Sequence, residues 1–241
     1  MTTTFPGGTS VSFLAVYDDK APDGLRGGSP HVHLASTECY TVTDGRGRLQ
    51  TIDRHGFRET LLEPGSVVWF TPGTIHRAVN DHDLRAIVIM SNAGLPEAGD
   101  AVLTFPEDIV ASETAYRSAA TLPEGDDSTR RAAAARRRDL AVEGFLALRN
   151  AVERHDPGPL EAFYSAAAAL VRDEAQAWDD VVRSNALEQS HRALALVAAA
   201  AQGDSAFLHE AELRHAPATA DAALGMCGRL RKFDTAATHL F

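Results

Sequence analysis

The chain of 241 residues contains 33 acidic and 23 basic residues, and its formal net charge is −10 at pH 7. This charge argues against an electropositive surface for nucleic acid, and no apolar run reaches the roughly 18 residues of a membrane span. The first residues lack a basic and apolar signal segment, so we expect a cytoplasmic protein with neither nucleic acid nor membrane as a partner. The two cysteines, Cys39 and Cys227, are then expected to be free thiols, and the excess of arginine over lysine is typical of a bacterial protein from a GC-rich genome.

Up to about residue 111 the sequence consists of short runs rich in β-branched and aromatic residues, separated by turn signals. Dipeptides such as Asp44-Gly45 and Pro72-Gly73 mark the turns. The runs cover residues 11–17, 31–34, 38–43, 47–53, 58–62, 66–71, 76–79 and 85–91. Runs of this length and spacing predict an antiparallel barrel or sandwich in residues 1–111.

Two short blocks within these runs have the spacing of a metal site. In the first, His31 and His33 flank Val32, and successive side chains of a strand point to opposite faces, so both imidazoles project to one side. Glu38 opens the next run, and His76 opens a later one after a Pro-Gly turn. Proteins hold transition metals with imidazole and carboxylate groups on rigid strands. The predicted ligands of one metal ion are therefore His31, His33, Glu38 and His76.

The pairing of these blocks resembles the cupin superfamily, whose two motifs place two His and a Glu on one strand pair and a third His on a later strand. The resemblance covers roughly residues 12–110 and includes Gly45 after the Glu and Asn80 after the last His. It departs upstream, where the family usually has a Gly six residues before the first His and this chain has Leu25. The resemblance implies a double-stranded β-helix, or jelly roll, in residues 1–111, with the metal inside the barrel.

Beyond residue 111 the sequence becomes helical in character. Residues 112–129 contain a polar stretch that predicts a linker ending in a helix N-cap. Residues 130–241 are predicted to be helical, with apolar residues at steps of three and four on two faces. The faces consist of Ala141, Phe145, Leu148 and Val152, and of Leu160, Phe163 or Tyr164, Ala167 and Val171. The expected fold class is α+β, an N-terminal antiparallel β-barrel followed by an all-α C-terminal region that packs on the barrel or in a homodimer interface.

A basic run lies near the start of this helical region. Arg136, Arg137 and Arg138 follow four alanines, and Asp139 comes next. On a helix these arginines spread over most of the circumference, so we interpret them as the solvated start of a helix and not as an anion site.

The ligand set limits the chemistry of the predicted metal. Three imidazoles and one carboxylate leave two open positions on an octahedral divalent ion, for water, dioxygen or a chelating substrate. Nitrogen and oxygen ligands suit Fe, Mn, Ni, Co, Cu and Zn, and spacing does not choose among these transition metals.

Strand alternation also predicts which side chains surround the metal. Tyr40 shares the face of Glu38, and Ala78 and Asn80 share the face of His76. For the run with two adjacent aromatic residues, alternation leaves open which of them faces inward. The candidate substrate-binding residues are Tyr40, Trp69, Ala78 and Asn80, and the candidate catalytic residues are Glu38 and Tyr40.

Three functions are compatible with such a site. The first is a metal-dependent oxygenase acting on a small apolar or enolisable molecule. The second is a redox-neutral isomerase, epimerase or lyase that uses the metal as a Lewis acid. The third is a small-molecule binding or sensing module. Apart from Tyr40 no second acid or base is evident near the site, which favours the oxygenase.

Overall fold

The computed structural model of the chain describes residues 5–233 and 239–240. Its strands are β1 Ser10–Val16, β2 His31–His33, β3 Glu38–Asp53, β4 Gly56–Leu62, β5 Val67–Phe70, β6 Ile75–Met90, β7 Ala101–Leu103, β8 Arg214–His215, β9 Ala223–Leu224, β10 Gly228–Lys232 and β11 His239–Leu240. Its helices are α1 Glu107–Val110, α2 Glu113–Ala120, α3 Asp127–Glu153, α4 Gly158–Leu170, α5 Arg172–Ala175, α6 Trp178–Val182 and α7 Glu188–Ala201. An antiparallel β region followed by helices confirms the predicted fold class.

Two 16-residue strands, β3 and β6, form the centre of the barrel and pair antiparallel with each other. The first half of β3 also pairs with β5, and its second half pairs with β4. On the other side of β6, the second half pairs with β1 and the start pairs with β2, which is flanked by β7. The two long strands therefore run through both layers of the barrel and connect them.

Strand β3 continues through Asp44 and Gly45, where the sequence predicts a turn. The register with β6 shifts on both sides of Asp44 and again after Arg46, so this stretch is bulged. Gly45 has a φ of 71°, and a Cβ there would collide with the carbonyl oxygens of His82 and Asp83 on β6. Glycine therefore serves here for a close approach of two strands in mid-course, and the predicted hairpin turn is wrong.

The helices pack on the outer face of the layer that contains β2 and β7. Val32, Ile52 and Ile75 from the strands are buried in one core with Phe145 of α3 and Phe163 of α4. Both predicted amphipathic faces supply buried residues to this core. The barrel interior holds a second core on the other side of the same layer. The helical part is thus packed against the barrel.

Helix α3 approaches the barrel closely at Gly144. A Cβ at this position would collide with the carbonyl oxygen of Thr104, just beyond β7. The hydroxyl of Thr104 donates to the carbonyl of Ala141, 2.9 Å away, one turn earlier in α3. Gly144 therefore lets α3 approach the barrel closely, and the hydrogen bond from Thr104 holds α3 there.

After α7 the chain returns to the barrel. Strand β10 pairs with β1, with Leu230 opposite Leu14 and Gly228 opposite Val16, and β9 pairs with β10. Cys227 is buried in the barrel interior. The expected all-α character of residues 130–241 therefore ends at Ala201. In residues 223–232 glycines and basic residues interrupt the apolar ones, so no sustained alternation of apolar and polar residues predicts a strand.

The segment expected to be a linker, residues 112–129, contains α2. Ser112 caps this helix, because its hydroxyl oxygen accepts a hydrogen bond from the amide of Ala115. The polar stretch forms the loop between α2 and α3, and it ends in the N-cap of α3, where the carboxylate of Asp126 accepts from the amide of Thr129 at 2.7 Å. In the part of the chain that the structure describes, no helix is both long and apolar enough to cross a membrane.

Candidate metal centre

The four predicted ligands lie together on the inner face of the barrel. His31 is opposite His76 in the register of β2 and β6, and His33 follows on the same side of β2. Val32 between them points into the core shared with the helices. With Glu38 at the start of β3, all four ligand residues have an exposed fraction of 6% or less. Alternation along β2 and the pairing of β6 with β2 and β3 therefore bring three imidazoles and one carboxylate to the same place.

The distances among these side chains have the dimensions of a metal site. Nε2 of His76 lies 3.0 Å, and Nε2 of His33 lies 3.3 Å, from the same oxygen of Glu38, Oε2. One ligand atom from each of the four residues lies within 4.8 Å of the other three. Ligands at about 2.1 Å from an octahedral ion are about 3.0 Å apart when adjacent and about 4.2 Å apart when opposite. The observed separations fall close to this range.

The backbone fixes the protonation of two of the rings. Nδ1 of His31 lies 2.9 Å from the carbonyl oxygen of Ser29, and Nδ1 of His76 lies 3.1 Å from that of Thr74. A carbonyl only accepts, so each Nδ1 carries the proton and donates it. In the neutral form of each ring Nε2 is then left as a lone pair, and this is the form that binds a metal.

The hydrogen bonding of two atoms in the cluster shows whether the cluster fits a cation. Oε2 of Glu38 and Nε2 of His76 are buried, and neither has a hydrogen-bond partner. When the ring of His76 is neutral, with its proton on Nδ1, these two atoms are both acceptors 3.0 Å apart, and buried polar atoms without partners are rare in folded proteins. A divalent cation between them would satisfy both atoms, so the residues fit a transition metal with nitrogen and oxygen ligands.

Burial and mutual proximity shift the pKa values of these groups. Burial lowers the pKa of His31 well below its ordinary value, and the neighbouring His76 and His33 lower it further. Burial also acts to lower the pKa of His33, but Asp100 and Glu38 outweigh it and raise that pKa to about 9. For Glu38 burial acts to raise the pKa, yet the two adjacent imidazoles hold it well below its usual range. The carboxylate is thus charged and available as a ligand at neutral pH.

Asp100 is a functional residue that the sequence analysis missed. Its Oδ1 accepts from the amides of Leu34 and Ala35, at 2.9 and 2.7 Å, and its Oδ2 lies 3.4 Å from Nδ1 of His33. A carboxylate behind a metal-binding imidazole orients the ring and raises its basicity. Asp100 precedes β7 in a turn-rich stretch, and only the pairing of β7 with β2 brings it to His33.

Of the two adjacent aromatic residues of β5, one faces the site and the other faces solvent. Phe70 is opposite Glu38, and the centre of its ring lies 4.2 Å from that of His76. Trp69 points outward and is 70% exposed. Trp69, a candidate substrate-binding residue, therefore does not face the metal centre, because alternation along β5 puts Phe70 inside.

The other candidate substrate-binding residues are buried. Asn80 donates to the carbonyl of Val16 and accepts from the amide of Leu84, so it holds the bulged part of β6 and its polar atoms are engaged. Ala78 is fully buried in the barrel interior. Tyr40 is also buried, and its hydroxyl lies 3.3 Å from Sγ of Cys227. Of these three, Tyr40 alone brings a reactive group near the cluster.

Both partners in this contact keep their protons at neutral pH. Burial raises the pKa of Tyr40 well above its ordinary value, and Cys227 and Glu38 raise it further. Burial raises the pKa of Cys227 to about 12, with a further contribution from Glu38. Tyr40 is therefore a neutral phenol that can donate a proton but does not act as a base.

A family model described as cupin domain matches residues 21–91, which include the four ligands. Among solved structures, a protein with a double-stranded β-helix domain from Klebsiella pneumoniae is 20% identical, with a TM-score of 0.27, over 34% of this chain and 64% of that one. A nucleoside dehydratase from Streptomyces is 12% identical, with a TM-score of 0.29, over 36% and 62%. An oxalate oxidase in complex with glycolate is 19% identical, with a TM-score of 0.25, over 37% and 53%.

The chain spans less than two thirds of the length of these structures. No curated protein sequence is significantly similar to it.

Proposed function

We propose that this chain is a metal-dependent enzyme that acts on a small organic molecule and uses dioxygen, and the match of residues 21–91 to a cupin domain supports the proposal. The observation that carries the proposal is the buried cluster of His31, His33, Glu38 and His76, with two unsatisfied ligand atoms 3.0 Å apart. A redox-active divalent ion held there would supply electrons for the activation of dioxygen.

The charges of the site favour a particular class of substrate. A divalent ion bound by three imidazoles in their neutral form and one carboxylate would have its charge reduced from +2 to +1. A net positive site in a buried surrounding attracts an anionic or enolisable oxygen more strongly than a neutral one. The substrate is therefore a small molecule with a carboxylate, an enolate or a comparable oxygen.

The remaining side chains exclude water and hold a proton. Phe70 covers His76 with its ring and separates the cluster from bulk solvent on that side. Tyr40 holds a proton at its phenolic oxygen, near Glu38, and can donate it to a developing negative charge on the substrate. Glu38 would hold the metal, and as a ligand it would not serve as the base.

Metal analysis tests the ligand set. Protein purified without added metal and then supplied with Fe(II) should hold about one ion per chain, since four protein ligands converge on one point. His76→Ala should lose stoichiometric metal, whereas His82→Ala, on the exposed part of the same strand, should retain it. Normal occupancy in His76→Ala would contradict the assignment.

Oxygen consumption tests the reaction. With Fe(II) restored and a panel of small enolisable acids offered, the wild-type protein should consume dioxygen with its substrate. Glu38→Ala should lose this activity with an unchanged far-UV circular dichroism spectrum. The exposed Glu63→Ala is the matched control and should remain active. Full turnover under strict anaerobiosis would remove the oxygenase proposal.

A second candidate function rests on Tyr40. A buried phenol that keeps its proton beside the cluster is suited to protonate a substrate whose carbonyl is polarised by the metal. A redox-neutral isomerase, epimerase or lyase would then show anaerobic turnover, with solvent deuterium in the product and loss of turnover in Tyr40→Phe. Tight ligand binding without turnover with any metal would instead indicate a binding or sensing module.

A further inference from the structure

A cavity lies between the barrel and the helices, outside the metal centre. It has a volume of about 160 Å³ and is bounded by β7, α2, α3 and the end of α4. None of the four metal ligands lines it, and its apolar wall includes Val102, Leu170, Val171 and Met226. A cavity of about 150 Å³ with apolar walls accommodates a benzene ring. The space is therefore sufficient for a ligand with a small apolar body.

One guanidinium group in this cavity has no counter-ion. Arg137 lines the cavity and donates from Nη1 to the carbonyl of Ala120 and from Nη2 to that of Gly225, both at 3.2 Å. Its Nε is buried without a hydrogen-bond partner. In the part of the chain that the structure describes, no carboxylate forms an ion pair with Arg137. A partly buried positive charge is costly without an anion nearby.

The other charged groups of the cavity neutralise each other. Arg117 donates from Nη2 to Oε1 of Glu174 at 2.5 Å, and both residues line the same cavity. Glu174 makes no ion pair with Arg137. The cavity therefore has a net charge of +1, located on the side chain of Arg137.

We propose that this cavity binds a small monocarboxylate with an apolar body about the size of a benzene ring. The carboxylate pairs with the guanidinium of Arg137, and the apolar body lies against Val102, Val171 and Met226. A bond from Nε to a carboxylate oxygen would satisfy the unpaired donor, and charge-assisted bonds of this kind are the stronger ones in proteins. This interpretation replaces that of Arg137 as a solvated residue at a helix start.

Titration calorimetry with benzoate as the probe tests the proposal on the purified full chain. Benzoate should bind with a Kd of about 1 mM or tighter, and benzyl alcohol, which has the ring but no charge, should bind at least about tenfold more weakly. Arg137→Met should weaken benzoate binding by at least about tenfold. The exposed neighbour Arg136→Met should leave it unchanged.

A second variant keeps the test decisive if Arg137→Met fails to fold. Ala120→Leu adds three carbon atoms to the cavity wall without altering a charge, and it should abolish benzoate binding. Absence of binding at about 10 mM benzoate would overturn the proposal. So would equal binding in wild type, Arg137→Met and Ala120→Leu, because benzoate would then occupy another place, such as the metal centre. Loss in Ala120→Leu alone would refute the pairing of the carboxylate with Arg137.

Discussion

Asp100 and His33 form the contact on which the orientation of one metal ligand depends. The carboxylate of Asp100 is fully buried, and two backbone amides hold one of its oxygens. Its other oxygen faces Nδ1 of His33, which directs Nε2 of that ring toward Glu38. Asp100, which is not one of the four candidate ligands, thus determines where a ligand atom lies.

We expect Asp100→Asn to weaken metal binding by about 10- to 100-fold, the range observed when an outer partner of a metal ligand is removed. The amide keeps the size of the side chain but not its charge. Competition with a chromophoric chelator measures the change, and Asp108→Asn, an exposed carboxylate on α1, is the matched control. Equal affinities of Asp100→Asn and wild type would show that the ring of His33 is held in another way.

At the level of elements, α3 packs against the barrel at Gly144, where we expect the usual preference of helices for alanine over glycine to be reversed. Replacing a glycine by alanine inside a helix ordinarily stabilises it by roughly 1 kcal/mol. Gly144→Ala should instead destabilise the protein by about 1–3 kcal/mol, because the new Cβ would meet the carbonyl oxygen of Thr104.

Urea denaturation of Gly144→Ala and of Glu143→Ala, its exposed neighbour, checks this sign. The Glu143 variant should stay within about 0.5 kcal/mol of wild type. A more stable Gly144→Ala protein would mean that α3 lies farther from the barrel.

The elements also show what the sequence can predict. His31 and His33 followed from alternation along one strand, Glu38 and His76 from the spacing of two short blocks, and Phe145 and Leu148 from helical periodicity, because all three patterns are local. The turn at Gly45 was predicted wrongly, since a glycine that allows two strands to approach looks the same in sequence as one that allows a turn. Asp100 depends on strand pairing across the barrel, which no local pattern specifies. For Trp69 the sequence left the inward face open, and Phe70 takes it.

At the level of the whole molecule, barrel and helices share one core, so neither should persist alone. We expect a protease site inserted in the exposed loop 121–126 to yield two fragments that remain associated in gel filtration. The isolated fragment from residue 127 onward should show no cooperative unfolding, because the apolar faces of α3 and α4 would be uncovered. A separated fragment that unfolds cooperatively on its own would contradict this.

The return of β10 to β1 also affects how the protein is made. The four metal ligands lie between residues 31 and 76, whereas the strand that covers the edge of β1 is synthesised only after α7. At 5–20 residues per second, the ribosome needs roughly 7 to 30 s to proceed from His76 to Ala223. During that time the nascent barrel has an unpaired strand edge, which is prone to aggregation, while its ligands are already available to cellular metal. If the protein holds the metal proposed above, capture can therefore precede closure of the barrel, and we expect the metal present during synthesis to influence which ion the finished protein holds.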